Sequence, residues 1–163
     1  MNYKVTHTFN FPLSELLRAR EDRYKNLDKF PDLRNVTLVE ERKEGKNIFQ
    51  KRKIGMSANL PPVLSAMLEE AVLIEESVFD TETNTHSFKL FPPGNEKIVM
   101  IKGNSVYKAI SDTSSERVYD VNIKSEVFLV SGVIETTIES FHKLSLEKDK
   151  NSILKFLSEN SSS

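Results

Sequence analysis

Cysteine is missing from all 163 residues, and with it go disulfides, thiolate metal sites, cysteine nucleophiles and thiol redox switching. That absence fits a cytosolic protein, so a cytoplasmic location is the expectation. Long apolar runs are missing too. Nothing approaches the roughly 20 residues that a helix needs to cross a bilayer, so integral membrane placement is not expected. The opening "MNYKVTHTFNFPLSELLRAR" alternates and then turns amphipathic; it lacks the continuous apolar core of a signal peptide and implies no export. An excess of one charge sign is also lacking. The formal net charge of -1 creates no overall field towards DNA, RNA or an anionic membrane, and the small cluster "QKRK" lies among acidic strands, so no nucleic acid is expected. The five glycines form neither a phosphate-cradling loop nor a dinucleotide fingerprint, and "GMSAN" lacks the second glycine of a nucleophile elbow. His86 and His142 lie on different elements with no His-x-x-x-His pair or acid cluster beside them, so neither metal nor cofactor is expected. No internal repeat or linker divides the chain.

What is present suits one soluble domain over residues 1–160, with 161–163 as a disordered tail: apolar residues make up 38% and charged residues 29%. "YKVTHTF" alternates, with Tyr3, Val5, His7 and Phe9 on one side of a half-buried strand. Pro12 suits a first helical position, and Leu13, Leu16 and Leu17 make an apolar stripe on a short helix ending near Glu21. Tyr24, Leu27 and Phe30 suggest a second short helix that Pro31 stops. Two hairpins follow, one turning at Gly45 and one at "TETN", and then the loop "PPGNE". "KIVMIKGNSVYKAIS" reads as a long strand with a bulge at Gly103 or as two short strands. The clearest alternation puts Tyr119, Val121, Ile123, Ser125 and Val127 on a core face. After "VSG", small residues that allow close packing, a long amphipathic helix carries Ile134, Ile138, Phe141, Leu144 or Ser145, Ile153, Leu154 and Leu157.

The order is strand, two short helices, six strands and a long C-terminal helix. A seven-stranded curved antiparallel sheet wrapped around that helix satisfies it, an α+β helix-grip fold. On "FNFPLSELLRAREDRYKNLDKFPDLRNVTLVEE" and "VSGVIETTIESFHKLSLEKDKNSILKFL" the chain resembles the START-like superfamily, also called SRPBCC or birch-pollen-allergen-like. Within it an uncharacterised bacterial family looks closest, through Leu60-Pro61 after the third strand and Ser131, Gly132 and Glu135 entering the last helix.

The resemblance implies a space between helix and sheet, and "NLPPVLSAML" would cross its mouth. Pro61 and Pro62 stiffen the entry to a helical turn or two carrying Val63, Leu64, Met67 and Leu68. Two readings fit: a lid over an apolar cavity, or a plug packed on the sheet. Strand parity and helix face nominate Phe9, Phe30, Met67, Phe88, Tyr107, Tyr119, Ile123, Ile138 and Phe141 as cavity walls, with Leu64 from the crossing. His7 points inward, as a satisfied core histidine or as a group that orients a polar ligand head or acts as a base, the role it would have in an enzyme. Arg52 either brings a cation into the cavity, where it would pair an acidic ligand group, or belongs to a solvated basic face. Glu75 and Glu76 are adjacent on a strand and point to opposite faces, so they cannot work as a carboxylate pair. The expected function is binding, with or without carriage, of a hydrophobic or amphipathic small molecule such as a lipid, in a monomer or weak dimer. The alternatives are a cyclase or dehydratase using the same cavity and a protein-interaction module.

Overall fold

Alternation at the chain start yields a strand, β1 (Asn2–Phe9), whose residues Tyr3, His7 and Phe9 are buried while Lys4, Thr6 and Thr8 face solvent. The computed structural model describes residues 1–33, 35–56 and 61–161. After β1 come α1 (Leu13–Asp22), two 3₁₀ turns (Arg23–Lys25 and Pro31–Leu33), β2 (Val36–Glu44), β3 (Asn47–Gly55) and the single turn α2 (Pro62–Ser65). Then follow β4 (Val72–Asp80), β5 (Thr85–Phe91), β6 (Met100–Ser111), β7 (Ser114–Lys124) and α3 (Ser131–Ser161). The strands form one antiparallel sheet in the order β1-β7-β6-β5-β4-β3-β2, and α3 packs on its inner face against β1 and β7. This is the expected helix-grip arrangement. Glu135, near the start of α3, accepts a hydrogen bond from the Ser125 amide at 3.2 Å and so ties the helix entry to the strand before it.

Four local expectations are corrected. Pro12 is the N-cap of α1, not its first residue, and its carbonyl accepts from the Glu15 and Leu16 amides. Short helices do lie between β1 and β2, but beyond α1 they take the form of two 3₁₀ turns, and Pro31 opens the second of them instead of stopping a single helix. The Asn26 side chain donates to the Asp22 carbonyl at 2.8 Å and takes up a helix-end acceptor, so the helical path is not resumed there; Leu27 is left exposed while Phe30 is buried. The β6 bulge is not at Gly103: register with β7 is continuous there and slips only between Ala109 and Ser111, beside the turn. Gly103 is instead a site of close approach, since a Cβ on it would lie 2.5 Å from the Asp120 carbonyl oxygen and 3.1 Å from Cζ of Phe88. Gly132 has open space around its Cα, so the helix entry does not use small residues for close packing.

The buried stripe of α3 also differs from the expected one. Ile134, Ile138, Leu146, Ile153, Phe156 and Leu157 are buried, whereas Leu144 is 55% exposed and Ser145 is exposed, both at the edge of the space between helix and sheet. The stripe runs through His142 and Asp149, polar positions that an apolar period passes over. Apolar residues gather in two clusters. One lies under the first half of α3 with Phe88, Leu90, Ile101 and Val121, and the other under its last turns with Phe9, Leu16, Phe30 and Phe79. The tail expectation meets the structure only at Ser161, which belongs to α3; Ser162 and Ser163 lie outside the described residues.

Candidate functional site

A cavity of about 330 Å³ lies between the sheet and α3. One end is apolar, walled by Leu64 of α2, Phe88 and Leu90 of β5, Ile101 of β6 and Ile138 of α3. These side chains share a face because strand positions two apart point the same way. The rest of the wall is polar and includes Arg23, Tyr24, Arg52, His86 and Asp149, with Glu75 at the boundary, in register with Leu90. A second hollow of about 680 Å³ opens on the sheet's outer face among Glu40, Arg42, Lys51 and Lys89; it is wider but shallow and carries no such division of character.

The polar end is organised by Asp149. Its carboxylate accepts from Nη1 of Arg23 at 3.1 and 3.2 Å and from Nη1 of Arg117 at 2.7 Å, so one anion serves two guanidiniums. Burial alone would raise its pKa; Arg23 and Arg117 overcome that and hold the carboxyl below its ordinary range. Arg117 is fully buried, and its Nη2 donates to Nδ1 of His7 at 3.0 Å. A guanidinium cannot accept, so Nδ1 is the acceptor and neutral His7 carries its proton on Nε2, 3.4 Å from Oε2 of Glu147. Burial first, and the Arg117 charge second, push His7 down to about 4. Arg52 lies with its guanidinium carbon 4.3 Å from the Tyr24 ring centre and Nη1 3.6 Å from Oε1 of Glu75. His86 stacks on Phe88 with ring centres 5.6 Å apart, and its pKa is held well below the usual imidazole value by burial and then by Arg20, Arg23, Arg52 and Arg117. On the facing helix, His142 lines the cavity, hydrogen-bonds through Nδ1 to the Tyr3 hydroxyl, and is pushed down to about 4 by burial.

Of the residues nominated from the sequence, Phe30, Arg52, Leu64, Phe88, Tyr107, Tyr119, Ile138 and Phe141 line this cavity. Phe9 and Ile123 are fully buried in the two core clusters, Met67 packs on the first of them, and His7 is buried behind the polar end. Arg52 is 8% exposed and so belongs to the interior, not to a solvated basic face. In the crossing, α2 brings Leu64 over the cavity, while Asn59 and Leu60 lie outside the described residues. Sequence reasoning missed Arg23, His86, Arg117, His142 and Asp149. A signal existed for Arg117, which stands two residues before Tyr119 and shares its parity. Among the described residues no three His, Asp or Glu side chains gather as a metal site would require, and no helix is long and apolar enough to cross a membrane.

A family model described as "Protein of unknown function (DUF2505)" matches residues 4–157. The chain belongs to the DUF2505 family. No curated protein matches this DUF2505 chain. Among solved structures it is similar to norcoclaurine synthase from Thalictrum flavum in complex with dopamine and hydroxybenzaldehyde, with TM-score 0.68 at 11% identity, covering 98% of this chain and 88% of that one. It is similar also to the Zhui aromatase/cyclase from Streptomyces sp. R1128, with TM-score 0.67 at 12% identity over 97% and 93% of the two chains. A START superfamily protein from Mycobacterium smegmatis gives 0.62 at 6% identity over 97% of each. At these identities the likeness is one of fold, and this DUF2505 protein has the START-like helix-grip fold.

Proposed function

We propose that this protein binds a small amphipathic or hydrophobic molecule in the space between its sheet and α3. The observation that carries the reading is the interior cavity itself, about 330 Å³ and divided into an apolar and a polar end. Ligand sites are concave, mostly apolar and equipped with a few convergent polar groups, and their volumes begin near ~300 Å³. A filled core would leave no such space, because protein interiors pack to crystal-like density. Neighbours of the same fold, an aromatase/cyclase and a norcoclaurine synthase in complex with dopamine and hydroxybenzaldehyde, support the same use of the space. Native mass spectrometry of freshly purified protein, without delipidation, tests it. The expected result is a discrete bound mass that solvent extraction releases. A clean apo mass, followed by no binding across a panel of fatty acids, sterols and polycyclic aromatics, would overturn the reading.

A second reading, an enzyme of the cyclase or dehydratase type, is favoured by one observation. His142 lines the cavity, and the neighbouring Tyr3 hydroxyl fixes its ring through Nδ1. His7 is less suited, since Nδ1 is occupied by Arg117 and the ring stands off the cavity wall. If the released molecule is converted by the wild type and equally well by His142→Ala, the enzyme reading loses its base.

A further inference from the structure

The polar end of the cavity holds more positive charge than negative. Arg20, Arg23, Arg52 and Arg117 all lie near enough to His86 to disfavour its protonation. Of these, Arg23 and Arg52 line the cavity together with Lys148, while Arg20 and Arg117 stand behind its wall; the carboxylates that line it are Asp149 and Glu75. Glu147 and Lys150 form a pair of their own at 3.7 Å at the rim and offset each other. Asp149 is already engaged by Arg23 and Arg117. Arg20 rests on aromatic faces, 3.9 Å from the Phe79 ring centre. Arg52 is the cation with capacity to spare: it lines the cavity, makes no side-chain hydrogen bond among the described residues, and has Glu75 at 3.6 Å as its ionic neighbour. Five N–H donors in a planar fork, held in a largely desolvated place, match a planar carboxylate. The charged residues on the cavity wall are Arg23, Arg52 and Lys148 against Glu75 and Asp149, an excess of one positive charge (3 − 2), and a single negative charge on the ligand brings that wall to neutral.

We infer that the molecule held here is an amphipathic monocarboxylate. Its carboxylate is taken by Arg52 at the end that faces Arg23 and His86, and its apolar part lies under α2 against Phe88, Leu90 and Ile138. This rests on the ligand-binding reading above and sharpens it from "small amphipath" to a charge and an orientation. Residues on the cavity wall supply both parts: strand positions Phe88 and Leu90 for the tail, and Arg52 with the 3₁₀ residue Arg23 for the head.

Calorimetric titration of decanoate and of decanol at neutral pH tests it, because the two probes share a chain and differ in charge. The wild type is expected to bind decanoate about tenfold or more tightly than decanol, the scale of a charge-assisted hydrogen bond. Arg52→Met should weaken decanoate by about tenfold while leaving decanol within about twofold. Glu75→Gln, which removes the competing internal carboxylate, should tighten decanoate several-fold, a change in the direction that a folding defect would not produce. Equal binding of the two probes by the wild type would overturn the carboxylate assignment and leave the cavity reading standing. Loss of both probes together in Arg52→Met would likewise overturn it, by making Arg52 a structural residue. Failure of both probes to bind the wild type would overturn the cavity reading and this inference with it.

Discussion

Asp149 separates the Arg23 and Arg117 guanidiniums and neutralises part of each. Asp149→Ala leaves both buried without that partner, a change that costs about 3–5 kcal/mol when a buried ion pair is broken from one side. Urea unfolding should report it as a lower midpoint with an unchanged slope. The histidines add a pH dependence. His7, faced by Arg117, Glu147, Lys150 and Asp149, and His142, faced by the Tyr3 hydroxyl, are both depressed to about 4 in the fold, against an unfolded value of about 6.5. The unfolded chain therefore binds more protons between those values. Stability is full above about pH 6.5 and falls on acidification towards about pH 4, by on the order of 2–3 kcal/mol per histidine. Asp149, whose pKa is lowered, adds a further loss only as the pH falls below the ordinary carboxylate range and through its folded value. Thermal melts from neutral pH downward should show the histidine window first, and His142→Gln should make it shallower by one share, with those of His7 and His86 remaining. Little of this was legible in the sequence. Arg and Asp are read as surface by default, and only a contact between β7, the 3₁₀ turn and α3, made in the folded chain, reveals that these particular ones are paired inside.

Among elements, strands were the most legible, because a period of two survives in the sequence wherever one face is buried. Both hairpins form where turn residues interrupt the alternation, with Gly45 at φ +59° and Asn84 at φ +53° adopting the left-handed backbone those turns need. The 3₁₀ turns were not legible as such: three apolar residues at spacing three fit a helix as well, and the competing Asn26 side chain decides between them. The face of α3 was half legible. Its apolar ends were found, but the middle of the stripe consists of His142, Leu146 and Asp149, where the cavity and the buried ion pairs replace packed hydrocarbon. Gly103 belongs to this scale too. Its missing side chain lets β7 approach and the Phe88 ring lie across β6. Gly103→Ala should destabilise the protein by about 2–3 kcal/mol, since the nearest obstacle is a backbone oxygen that cannot rotate away. A matched Ser105→Ala control, which removes a buried hydroxyl that has no hydrogen-bond partner among the described residues, should be close to neutral in the same assay.

At the scale of the whole molecule, sheet and helix together make a container whose frame and lining are set by different atoms. Backbone ladders hold the strands in order, and inward side chains choose what fits between them. The resemblance read from the sequence reached this architecture because the order of elements and the apolar crossing reach across the entire chain, whereas the polar end depends on residues far apart in sequence. The same long-range pairing governs folding. Contacts such as Tyr3 with Val121 place the chain among topologies that fold in milliseconds to seconds, and stopped-flow refolding is expected to fall in that range, not in microseconds. It also sets an order of events during synthesis. Phe9 leaves the ribosome 106 residues before Ser115, its register partner (115 − 9), and at about 5–20 residues per second β1 waits roughly 5–20 s for β7 to emerge. For that interval Tyr3, Val5 and Phe9 have no strand beside them. A nascent chain stalled before Ser115 therefore presents an uncovered strand edge to whatever holding chaperone or unfinished neighbour is nearest.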